Sequence, residues 1–265
     1  MSIYIGIGGW NFEPWRGTFY PDGLSQKKEL DYASRKLTSI EINSTYYGAQ
    51  KPETFAKWRD ETPEGFIFCV KGSRYTTNRR VLAEAGESIE KFITSGVTEL
   101  KDKLGPINWQ FMATKKFDAE DFEAFLKLLP DSYDGVSLRH AVEVRSPTFQ
   151  TPEFIDMARH YKVAVVNAFD EDFPQIGDQT ADFAYLRLLG TEENEPIGYT
   201  QAALDEWSGR LKAIENGTVP DDIACVGERN RNESGAKRRD AFAYVISGDK
   251  VKNPRAAMAL IERVK

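Results

Sequence analysis

A chain of 265 residues with 41% hydrophobic and 29% charged residues has a globular balance, and its length is ordinary for a single α/β barrel. The net charge of −6 argues against a general binder of nucleic acid or anionic membranes, since such proteins carry a positive excess. Two cysteines, Cys69 and Cys225, exclude a disulfide framework or a zinc knuckle, and no apolar run approaches the roughly 20 residues that cross a bilayer.

In chain order, short β-branched or aromatic runs alternate with helix-like stretches, as in a parallel sheet. Strands are expected at residues 4–8, 39–43, 66–71, 107–110, 140–145, 163–167 and 183–187. The chain enters the first strand at once, so no secretory leader is expected and the cytoplasm is the default compartment. The eighth strand has two candidates. Residues 223–226 are apolar but short, and no helix follows them. Residues 241–246 are longer and precede Asn253-Pro254, an N-cap and N1 pair, and a helical stretch at 255–264. The second is preferred, which makes 216–239 a polar surface loop inserted before strand eight.

Helices at 26–36, 53–60, 87–103, 119–129, 153–160 and 201–214 show apolar spacing of about 3.6. Residues 170–182 show none, so the barrel is expected to be irregular between strands six and seven. The expected fold is one (β/α)8, TIM-like barrel domain over residues 1–265.

Such barrels work at the carboxyl ends of their strands. Strand one ends in Gly8-Gly9-Trp10, strand three in Lys71, strand four in Gln110 and strand seven in Arg187. Glu41 and Asn43 close strand two, on one face and about 7 Å apart. Glu143 and Arg145 close strand five in the same way, with Val142 and Val144 turned to the helices. Polar groups in apolar runs must meet one another, water or a ligand. One reading is a structural network in which Glu41 and Glu143 neutralise Lys71, Arg145 and Arg187. The convergence on one end favours a binding site. The cations, with Arg16 and Arg74 nearby, suit a phosphate or carboxylate. Trp10, Trp15, Tyr46 and Tyr47 follow strands one and two, where a ring could stack on a sugar or base.

Several chemistries fail on the residues present. His140 and His160 are the only histidines, too few for a metal centre or a serine triad, and no metal or cofactor is expected. Gly6, Gly8 and Gly9 do not form a dinucleotide or Walker loop; Gly6 and Gly8 are expected to relieve crowding in the barrel wall. Glu41 and Glu143 could face each other across a sugar, but neighbouring cations would keep both ionised where the acid needs a raised pKa.

The motifs Ile5-Gly6-Ile7-Gly8-Gly9-Trp10, Glu41-Ile42-Asn43-Ser44-Thr45-Tyr46-Tyr47, Phe66-Ile67-Phe68-Cys69-Val70-Lys71, Glu143-Val144-Arg145 and Ala181-Asp182-Phe183-Ala184-Tyr185-Leu186-Arg187 carry a resemblance. With them in view, the chain resembles the YecE-like family, domain of unknown function 72, from Ile5 to about Ile261. The resemblance implies a TIM barrel related in shape to sugar isomerases and an apurinic endonuclease, and it names no substrate. Members often carry histidine where this chain has Asn78, Ser146 and Leu189, so a metal mechanism is not carried over. A sixth-strand aspartate of the family corresponds to Asp170 or a neighbour.

The leading expectation is a protein that binds, and in one version turns over, a small anionic sugar- or nucleotide-like ligand. Glu41 and Glu143 would be its acid/base groups; Trp10, Asn43, Tyr46, Lys71, Gln110, Arg145 and Arg187 would bind the ligand. Replacing Arg187 is then expected to weaken binding and barely alter the fold. The alternatives are a non-catalytic regulatory barrel and a nucleic-acid binder whose phosphates follow Arg79-Arg80, Lys115-Lys116 and Lys237-Arg238-Arg239.

Overall fold

The structure, a computed structural model, describes residues 2–169, 172–188, 190–227 and 238–265. Its main sheet has nine parallel segments. They form β1 (Ile3–Gly8), β2 (Ser39–Ile42), β3 (Ile67–Lys71), β4 (Leu104–Gln110), β5 (His140–Glu143), β6 (Ala164–Val165 and Asn167–Phe169), β7 (Phe183–Leu188) and β8 (Asp240–Val245). The first half of β6 pairs with β5, Val142 opposite Val165, and the second half with β7, Leu186 opposite Asn167. The two ends of the sheet are therefore two halves of one strand, and the sheet comes round on itself as the expected barrel. No helix among the described residues is long and apolar enough to cross a membrane.

The strand period of two separates an inside from an outside. Ile40, Ile42, Phe68, Val70, Val142, Leu186, Leu188, Ala243 and Val245 pack outward against the helices in the larger apolar core. Ile67, Cys69, Ala141, Ala164, Val166, Phe183, Tyr185, Phe242 and Tyr244 form a second core, the barrel interior. Glycine is required in the wall at Gly6, where a Cβ would stand 1.9 Å from the Ser39 carbonyl oxygen. The expected relief of crowding is therefore real. At the amino end the interior is closed by rings. Tyr4 stacks on Phe242 with centroids 5.0 Å apart, and the Arg139 guanidinium lies 4.9 Å above the Phe242 ring.

Two expectations change. The helix at 87–103 is two pieces, Gly86–Ile93 and a 3-10 stretch Val97–Lys103. Gly96 divides them at φ 108, and a Cβ there would meet Pro52 Cα at 2.6 Å, so backbone crowding overrides the apolar period. The loop at 216–239 precedes β8 as expected, but its described part is not all surface. Val219 and Ile223 are buried, and Gly177 donates to the Ala224 carbonyl at 2.7 Å. Asp178 accepts from the backbone amides of Val226 at 2.7 Å and Gly227 at 2.9 Å. This packing stands where a regular barrel would place the helix between β6 and β7, which explains both the irregularity and the apolar 223–226 run. Residues 228–237 of that loop, with Asp170 and Leu189, lie outside the described residues.

Candidate functional site

The strands deliver their polar last residues to one place, the carboxyl-end mouth. Arg187 on β7 bridges two carboxylates: Nη1 donates to Glu143 Oε1 at 2.8 Å and Nη2 to Glu41 Oε1 at 3.3 Å. Arg145, just past β5, also donates to Glu143 Oε1, from Nε at 3.0 Å and Nη2 at 2.7 Å. Asn108 Nδ2 on β4 reaches Glu143 Oε2 at 3.1 Å, and the Tyr185 hydroxyl on β7 donates to Glu41 Oε2 at 2.5 Å. Glu41, Glu143, Lys71 and Arg187 are all buried.

Lys71 is different. Its ammonium donates to Gln110 Oε1 and sits 5.6 Å from the Tyr46 ring, and it makes no ion pair among the described residues. An ammonium has three donors, so protein groups described here leave two of them unused. The strand end carrying it is fixed, because the Thr45 hydroxyl donates to the Lys71 carbonyl at 2.7 Å.

Charge states follow from this geometry. Burial lowers the Lys71 pKa from 10.5 to about 8, with Arg187 pushing the same way and Glu143 and Glu41 opposing. Burial alone would raise Glu143, but Arg187, Lys71 and Arg145 outweigh it and hold the carboxyl well below its ordinary range. Burial likewise lifts Tyr185 well above its ordinary value, reinforced by Glu41, so its hydroxyl stays a donor. With Lys71 protonated, three cations face two carboxylates and the cluster carries one surplus positive charge.

Of the residues singled out from sequence, Glu41, Glu143, Arg145 and Arg187 meet directly, and Lys71, Gln110 and Tyr46 adjoin one another. Asn43 lies at the β2 end, its Nδ2 3.5 Å from the Glu41 carbonyl and 2.8 Å from where a Gly8 Cβ would stand. Trp10 does not join them. Its ring packs edge-on against Trp58 at 5.2 Å and Phe68 at 6.3 Å, on the helix side of the sheet. Trp15 is core, its Nε1 donating to the Lys250 carbonyl at 2.8 Å, and Arg16 pairs with Glu29.

Asn108 and Tyr185 join the site without having been expected there, although they lie two residues before Gln110 and Arg187 and so on the same strand faces. Phe173 adjoins the site too, its ring 4.4 Å from the Arg145 guanidinium, a contact no strand pattern signals. The expectation for Arg187 is revised too: removing it would leave two buried carboxylates short of their shared cation.

His140 opens β5 at the far end. It accepts from Trp109 Nε1 at 3.1 Å and is 2.8 Å from the Pro130 carbonyl, a structural role. Among the described residues no group of three or more histidine, cysteine, aspartate or glutamate residues could hold a metal ion. The basic dipeptides divide. Arg79-Arg80 and Lys115-Lys116 line one cavity, whereas Arg238 pairs with Glu215 and Arg239 is buried beside the start of β8, at the amino end. The first two dipeptides thus stand on loops at the carboxyl end, and Arg238-Arg239 at the amino end. Lys237 lies outside the described residues.

The fold and this mouth define a parallel α/β barrel with a buried, charged carboxyl end. The chain belongs to the family described as "Protein of unknown function DUF72", whose model matches residues 4–265. It is 30% identical over 147 residues to UPF0759 protein YecE of Escherichia coli K12, covering 56% of this chain and 50% of that protein. The match thus spans about half the length of that relative. Against UPF0759 protein YunF of Bacillus subtilis 168 the identity is 25% over 203 residues, 74% of this chain and 68% of the relative. In shape it is similar to a DUF72 family protein of Thermotoga maritima MSB8, with TM-score 0.69, 22% identity and coverage of 98% and 97%. A xylose isomerase-like TIM barrel/4-hydroxyphenylpyruvate dioxygenase fusion protein aligns with TM-score 0.51 and 13% identity, over 97% of this chain and 41% of that one. These structures speak for the fold.

Proposed function

We propose that the carboxyl-end mouth binds a small ligand carrying one carboxylate or phosphate, held by Lys71 with Arg145 and Arg187 beside it. The observation that carries this reading is the buried Lys71 ammonium, which pairs with no carboxylate among the described residues, in a cluster one positive charge in surplus. Burying such a charge costs stability unless something compensates it, and an anion would do so. Tyr46 beside the ammonium offers a ring face to a sugar or base.

Where turnover occurs, the two glutamates would play unequal parts. Glu143, ionised and tied to two arginines, suits the holding of those arginines and not proton donation. Glu41, which meets one arginine and one hydroxyl, is the better acid/base candidate. A reducing, cytoplasmic setting suits a chain with only two cysteines, one of them the buried Cys69.

The test is native mass spectrometry of freshly purified protein, followed by a thermal-shift screen of phosphorylated metabolites, nucleotides and small carboxylates. The reading expects a retained or stabilising anion with wild type and none with Lys71→Met. It fails if no anion of the panel is retained or stabilises the wild type.

A further inference from the structure

The loops after β3 and β4 build a second, separate place. One cavity of about 350 Å3 is lined by Thr77, Met112 and four cations, Arg79, Arg80, Lys115 and Lys116, with no carboxylate in its lining. None of these belongs to the strand-end cluster. A neighbouring cavity of about 290 Å3 shares Arg79 and is lined by Ala49, Tyr75 and Phe92, with Thr45, Ser73, Ser88, Glu87 and Lys91 as polar groups. One cavity presents cations, and the other presents two aromatic rings with hydrogen-bonding groups around them.

The cations are held together on purpose-built scaffolding. Lys115 Nζ ties the β4 loop to the β3 loop, donating to the Arg80 carbonyl at 2.9 Å and to Asp121 Oδ2 at 2.9 Å. Asp121 Oδ1 also accepts from the amides of Leu82 at 2.6 Å and Ala83 at 3.0 Å. Asp121 therefore answers Lys115, while Arg79, Arg80 and Lys116 make no ion pair among the described residues. Like charges crowded in this way repel unless an anion sits among them.

A second observation points to a ligand. Thr77, in the lining of the cationic cavity, is 1% exposed, and neither its Oγ1 nor Arg79 Nε has a hydrogen-bond partner among the described residues. Buried polar atoms are seldom left so. Beside this cavity, Tyr47 is exposed with the Arg74 guanidinium 5.6 Å from its ring, a surface on which a further ring can stack.

We propose that the paired cavities are a nucleoside phosphate site. Phosphate lies among Arg79, Arg80 and Lys116, the neighbouring cavity with Tyr75 and Phe92 in its lining is the base slot, and Arg79 spans the two. The same chemistry is offered by a free nucleotide and by the phosphorylated end of a single strand. The site does not depend on what the mouth binds.

Calorimetric titration of the full chain at low salt with ADP and with a 5′-phosphorylated oligothymidylate tests it and tells the two sources apart. Binding of either probe is expected. The double variant Arg80→Ala/Lys116→Ala should lower affinity at least about tenfold. For the strand it should also flatten the dependence of log K on log salt by about 1.4, two contacts at about 0.7 each. Arg80 and Lys116 are exposed, so the variant should melt with the wild type. Tyr75→Ala should weaken binding severalfold without changing the melt, and Lys71→Met should bind as wild type does. Failure of both probes to bind, or full affinity in the double variant, overturns the proposal. Full affinity in Tyr75→Ala overturns the base slot. Affinity lost only in Lys71→Met overturns the rim site and places the ligand in the mouth.

Discussion

At the amino end of the barrel, Tyr4, Phe183 and Phe242 fill the interior, and one ion pair, Arg139 with Asp240 at 3.0 Å, sits partly exposed at the edge. At the carboxyl end five charged side chains stand at or just past the strand ends, and four of them are buried. Rings packed on rings need nothing further. Buried charges need partners, and at the mouth those partners are supplied for both glutamates and two cations, while Lys71 has only an amide oxygen. One end of the same barrel serves stability, and the other gives up stability for an unsatisfied cation. That asymmetry marks the site.

The comparison breaks most readily at Glu143. Glu143→Gln would leave Arg187 and Arg145 short of their shared carboxylate, and urea unfolding should show a loss of about 3–5 kcal/mol. Equal losses from Glu143→Gln and from a cut at the amino-end pair would abolish the distinction.

Lys71 sharpens it. Because Lys71 sheds its proton at about pH 8 when folded and at 10.5 when unfolded, the unfolded chain binds more protons between those values. Stability should therefore rise with pH across that window. Other groups titrate there too, so the quantity to measure is the stability of wild type relative to Lys71→Met, which should rise with pH. A difference that stays constant would mean Lys71 is not perturbed. At pH 7 the same variant should be as stable as wild type or more stable by about 1 kcal/mol, since a lone buried charge is replaced by an apolar chain of similar length. The smallest effect belongs to Arg139→Ala, a loss of about 1 kcal/mol or less from a partly exposed pair.

Much of this was legible in the amino acids. The strand period places Glu143 with Arg145, and Arg187 with Tyr185, on one face of their strands, and the last strand lies at Asp240–Val245, in keeping with the preference for residues 241–246. Asn108 and Tyr185 obey the same period, but their importance lies in which carboxylate each one reaches, and that is fixed only by the closed barrel. Trp10 misled because its backbone leaves the mouth while its ring turns to Trp58. The apolar 223–226 run imitated a strand because it packs over Gly177, where a Cβ would stand 2.3 Å from Ile223 Cγ2. Arg79-Arg80 and Lys115-Lys116 were visible as dipeptides; their meeting in one cavity depends on the β3 and β4 loops lying side by side.

The central claim is that an anion completes the charge of Lys71. Calorimetric titration with the best anion of the thermal-shift panel, at pH 7 and at pH 9.5, tests it directly. The account predicts binding at pH 7 that weakens at least about tenfold at pH 9.5, above the Lys71 pKa of about 8, and disappears in Lys71→Met. Equal affinity at both pH values, or in Lys71→Met, would contradict it.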